Sequence, residues 1–81
     1  MILSGEDVLV LLTAQQLGGT VSGYHIAQEL GWSGQYANVQ AAQALVRLKN
    51  RGLMAHSQHQ STYGPVRFII TDAGRKALED E

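Results

Sequence analysis

The amino-acid sequence predicts a mostly α domain carrying one small antiparallel β-hairpin, an α+β fold, and three observations lead to it. An apolar-periodic helix closes on Arg51-Gly52-Leu53 and runs straight into an alternating segment. A second alternating segment, Val66-Arg67-Phe68-Ile69-Ile70, passes directly into Thr71, a good helix cap. Residues 30–71 contain Arg47, Lys49, Arg51 and Arg67 and no acid, a local charge of +4 in a chain of formal net charge −1. Helix, hairpin, helix in this order builds a winged helix-turn-helix, and its basic middle suits a polyanion.

The elements follow in chain order. A first helix is expected over 4–17: Ser4 caps it, Asp7 supplies a short version of the capping-box acid, and Val8, Leu11 and Leu12 form its inward spacing. Leu9 and Val10 widen that apolar face, and Gly18-Gly19 ends the helix. Thr20-Val21 is long enough only for a stub of strand. Ser22 caps a second helix over 22–30, with Tyr24, Ile26, Ala27 and Leu30 inward and Gly31 just past its end. Trp32-Ser33-Gly34 makes the turn, and Ser33 is read as the cap of a third helix over 34–50. Its small stripe Ala37, Ala41, Ala44, with Leu45 and Leu48, faces the core. A hairpin over 53–70 follows, with a polar tip at residues 59–65, and a last helix over 72–80.

Eighty-one residues make one domain, and a core this small profits from a second copy. The absence of cysteine excludes disulfides and thiolate metal sites. No apolar run approaches the roughly 20 residues of a membrane span, and Met1-Ile2-Leu3-Ser4 lacks the basic start of a signal peptide. A cytoplasmic protein is expected. His56 and His59 would point to opposite faces of a strand, so no metal is expected. The serines are better used as caps than as nucleophiles, Asp72 suits a helix start, and no cofactor or small-molecule ligand is implied. The protein is read as a non-enzyme.

The third helix carries the functional signal. Tyr36, Gln40, Gln43 and Arg47 are spaced 4, 3 and 4 and so share one face, with Gln35 and Asn38 near its beginning. Gln pairs with adenine edges, Arg with guanine, and a Tyr hydroxyl with phosphate. A merely solvated face shows polar residues too, but would carry Glu about as often as Gln or Arg. Arg67, with Thr62 and Tyr63 in the hairpin tip, is the second candidate contact, expected on the same side as Arg47.

The chain resembles the winged-helix domain of the PadR-like transcriptional regulators. The matching residues are Gly23-Tyr24-His25-Ile26-Ala27-Gln28-Glu29-Leu30, then Leu45 to Leu53 with its Gly52-Leu53 exit, and Phe68 to Leu78 with the Thr71-Asp72-Ala73-Gly74 step. The resemblance spans roughly residues 6–79. It lacks the family's tyrosine in the segment Val39 to Leu45 and the dimerisation helix that follows in that family. It implies binding of double-stranded DNA. A homodimer is expected through Ile2, Leu3 and the first helix against the last helix at Leu78. Two rivals stay open: an excisionase-like architectural DNA binder, and a winged helix used for protein–protein interaction.

Overall fold

Residues 3–58, 60 and 64–80 are described by the computed structural model. The order is α1 (Gly5–Leu17), α2 (Gly23–Leu30), α3 (Ala37–Asn50), β1 (Met54–His56), β2 (Phe68–Ile70) and α4 (Asp72–Glu79). The two strands form an antiparallel hairpin, pairing Met54 with Ile70, Ala55 with Ile69 and His56 with Phe68. The stub at Val21 adds a further bridge, to Phe68 of β2. The Val21 N–H donates to the Phe68 carbonyl at 2.8 Å and its carbonyl accepts from the Phe68 N–H at 2.7 Å. That bridge ties the α1–α2 connection to the hairpin.

Three helix starts form as their caps dictate. The Ser4 hydroxyl accepts from the Asp7 N–H, Ser22 from His25, and Thr71 from Gly74. His25 fills the role usually given to Glu or Gln, its Nδ1 accepting from the Ser22 N–H at 3.2 Å and closing a capping box. Gly31 ends α2 in the left-handed conformation at φ 73°.

Ser33 does not cap α3. The helix begins at Ala37, three residues later than expected, with Tyr36 as N-cap and no side-chain cap hydrogen bond. Gly34 at φ 109° belongs to the preceding turn, and Gln35 and Tyr36 stand in that turn rather than inside the helix.

The core is built on Val10, Leu11, Ile26, Leu45, Leu48 and Met54, all fully buried. The inner face of α1 therefore differs from its expected stripe. Val10, Leu11 and Ala14 are buried, Val8 is half-buried, and Leu9 and Leu12 are exposed. Tyr24, expected inward, is exposed as well. Leu3 is buried in this protein's own core and so is not available to a second copy; Leu78 is half-buried against that core. Ile2 lies outside the described residues.

The close approach of α2 to α3 requires glycine at position 23. A Cβ there would stand 2.7 Å from the Asn38 carbonyl oxygen and 2.9 Å from the Ala42 nitrogen. This contact sets how closely α2 and α3 pack.

Candidate nucleic-acid interface

Three sides of α3 have three different surroundings. Ala37, Ala41, Ala44, Leu45 and Leu48 are buried in the core, as their spacing predicts. One flank, at Asn38 and Ala42, lies against Gly23 of α2. The other flank meets the first turn of α1. There the Gln40 Nε2 donates to Glu6 Oε1 at 2.7 Å, and Arg47 donates to Asp7 Oδ1 from Nη2 at 2.9 Å and from Nε at 3.3 Å. Arg47 Nη2 also lies 3.6 Å from Glu6 Oε2.

This network revises the polar stripe read from spacing. Of its four residues, Gln40 and Arg47 engage α1, whereas Gln43 and Tyr36 remain exposed. The hydrogen bond to Asp7 is the main cause that raises the Arg47 pKa further above its already high ordinary value, so the guanidinium is always charged. Asp7 is only 3% exposed, so its carboxylate depends on Arg47 for its charged partner.

Replacing Arg47 with Ala is therefore expected to cost about 1–2 kcal/mol of stability. A stranded buried carboxylate is worth about 1–3 kcal/mol, and the half-exposed arginine screens part of that. Urea unfolding of Arg47→Ala measures it, and an unchanged midpoint would mean that the ion pair contributes nothing.

The outermost face of α3 is formed by Val39, Gln43 and Val46, with Ala42 half-buried beside them. Two shallow depressions open on it. One, of about 440 Å³, is lined by Val39, Ala42, Gln43, Val46 and Arg47. The other, of about 350 Å³, runs between α2, α3 and the hairpin, where Tyr24, Asn38, Val46, Pro65, Val66 and Phe68 border it. No acidic side chain lines either depression.

The base of the wing is held by the side chain of Gln60. Gln60 Nε2 donates to the carbonyls of Ser57 and Arg67, both at 2.8 Å, and its Oε1 accepts from the Arg67 N–H at 3.0 Å. With the Ser57 N–H donating to the Arg67 carbonyl at 3.0 Å, this bridges the two arms beyond the regular strands. Val66 and Phe68 border the groove toward α3, so strand alternation turns Arg67 to the other side of the ribbon. Arg67 therefore does not meet Arg47, which is held on the α1 flank. Thr62 and Tyr63 lie outside the described residues.

The basic middle is also less concentrated than its sequence suggests. Arg51 lines a depression with Ala73 and Lys76 of α4 and with Asp80 just past its end, away from the exposed α3 face. Lys49 and Arg67 are engaged by no carboxylate among the described residues.

A helix-turn-helix whose second helix stands beside an antiparallel hairpin, closed by a further helix, is a winged helix. Solved proteins share this arrangement. The chain is similar to BpsR of Bordetella bronchiseptica, whose DNA binding is regulated by 6-hydroxynicotinic acid. The TM-score is 0.77 at 22% identity, covering 96% of this chain and 52% of BpsR. It is similar to PadR of Bacillus subtilis, solved in complex with operator DNA, with a TM-score of 0.71 at 22% identity over 95% of this chain and 46% of that one. A PadR family transcriptional regulator from Eggerthella lenta gives 0.65 at 23% identity, over 93% and 69%. The chain thus spans about half the length of BpsR and of PadR. No protein-family model matches the sequence, and no curated protein matches it with significance.

Proposed function

We propose that this protein binds double-stranded DNA sequence-specifically as a small transcriptional regulator, with α3 in the major groove and the hairpin on the adjacent backbone. The observation that carries this reading is the exposed face of α3. Asn38, Val39, Gln43, Val46 and Asn50 stand outward on it, with Gln35 and Tyr36 just before it, and none is an acid. The N-terminal end of α3 has no side-chain cap, which suits a phosphate there. Likeness to the fold of B. subtilis PadR, solved in complex with operator DNA, supports DNA binding.

Regulation on this reading is steric: a bound copy occludes the promoter. No small-molecule effector or catalytic role is assigned. No helix among the described residues is long and apolar enough to cross a membrane, and a cytoplasmic location is part of the proposal. So is a homodimer. Its contact surface is Leu9 and Leu12 of α1, both exposed, together with Leu78 of α4.

Selection of bound duplexes from a library of genomic fragments tests the proposal. It is expected to enrich one short motif, repeated with centres about 34–36 Å apart where two subunits bind together. A single unrepeated half-site would point to a monomeric architectural binder. No enrichment of any duplex would overturn DNA binding in favour of protein docking.

A further inference from the structure

We infer that Val39 and Val46, on either side of Gln43, read the 5-methyl groups of thymine, so that the target sites of this protein contain a thymine under each valine. This rests on the DNA-binding reading and specifies its sequence class.

Val39 is 51% exposed and Val46 is 42% exposed, on a helix whose inner residues are fully buried. Positions 39, 43 and 46 follow spacings of four and three, so the three side chains form one outward row. At 1.5 Å per residue, the two valines lie about 10 Å apart along the axis, roughly three base-pair steps. Each therefore meets a different base pair, with Gln43 over one of the two pairs between them.

The chemistry of the row selects its partner. In the major groove only thymine offers an apolar group, its C5-methyl, and small aliphatic side chains are its natural contacts. Valine has no donor or acceptor with which to read any other base edge. Gln43 pairs bidentately with the N6 and N7 of adenine, the base opposite thymine. Ala42, shared by the depressions on either side of Val46, leaves the surface concave there, with room for a methyl group. The row itself carries no acid and is bordered by Asn38 on one flank. On the other flank stand Gln40 and Arg47, which bind Glu6 and Asp7 of α1.

The test replaces thymines of a selected duplex one at a time by deoxyuridine, which removes only the methyl group and keeps the pairing. The whole chain is used, with affinity read by fluorescence anisotropy. One or two positions are expected to lose about three- to five-fold in affinity, the worth of one buried methyl. Val39→Ala should bind the thymine and deoxyuridine duplexes equally at one such position, and Val46→Ala at the other. Gln43→Ala should weaken binding yet keep both methyl effects. Specific binding that is indifferent to every thymine-to-deoxyuridine change would overturn methyl reading and leave DNA binding intact. Failure to bind any duplex would overturn the DNA-binding reading itself, and methyl reading with it.

Discussion

Gly74→Ala is expected to destabilise the protein by about 3 kcal/mol, although alanine is the better helix former by about 1 kcal/mol. The glycine lies in the first turn of α4, where the helix backbone rests on the end of α3's exit loop. A Cβ at position 74 would run into the Leu53 carbonyl oxygen and stand 2.8 Å from Ile70 Cγ1. Ile70 is buried, and the backbone at Leu53 is tied down. The Leu53 carbonyl already accepts from the Thr71 N–H at 3.1 Å, and the Thr71 hydroxyl donates to the Gly52 carbonyl at 2.7 Å.

Relieving the clash therefore means lifting α4 off both bonds, each worth about 1 kcal/mol, on top of the overpacking itself. For a domain of this size the loss lowers the melting temperature by about 12–24 °C. Circular dichroism on heating measures it, with Gly5→Ala as control, since a Cβ at Gly5 meets nothing within 4 Å. Equal melting of the two variants would show that α4 shifts at no cost.

Gln43→Glu is expected to lower duplex affinity by about 100-fold or more while leaving the fold unchanged. Gln43 is exposed at the centre of the outward row, and no hydrogen bond to another described residue holds it. The substitution removes the amide donor, worth about 1–3 kcal/mol against a base edge, and sets a carboxylate among phosphates and base acceptors. An exposed substitution of this kind changes stability by at most about 0.5 kcal/mol. Anisotropy on a selected duplex, with the melting curve beside it, separates binding from folding. Gln40→Ala should cost less, because Gln40 Nε2 already donates to Glu6. Undiminished binding by Gln43→Glu would move the interface off α3.

The architecture was legible because its signals are local. Ser4, Ser22 and Thr71 cap the helices they precede, and the alternation of Val66, Phe68 and Ile70 marks the second strand. Val21 pairs with Phe68 as a stub, as the short Thr20-Val21 segment allows. The start of α3 is hidden for an equally local reason. Ser33 is a better cap by type than Tyr36, but Gly34 sends the chain through another turn before Ala37 begins the helix.

The site was harder to read because its decisive contacts are long-range. Periodicity places Gln40, Gln43 and Arg47 on one side of α3, but does not say that α1 arrives along one edge of that side. Asp7 had a sufficient local explanation in the first turn of α1, which concealed its pairing with Arg47, forty residues away. Gln60 was hidden similarly: a polar residue in a polar loop gives no sign that it bridges two backbone arms. The exposed valines did leave a signal, as apolar residues in excess of what one small core absorbs.

The most direct measurement of the central claim is the affinity for a selected duplex as a function of salt. Four free basic side chains in the middle of the chain would give a slope of log affinity against log salt near −4 per subunit. The folded protein holds Arg47 on Asp7 and places Arg51 beside α4, which leaves Lys49 and Arg67 for phosphate. The expected slope is therefore about −2 per subunit. A flat response, or no duplex binding at low salt, would contradict the reading of α3 and the wing as a DNA-binding surface.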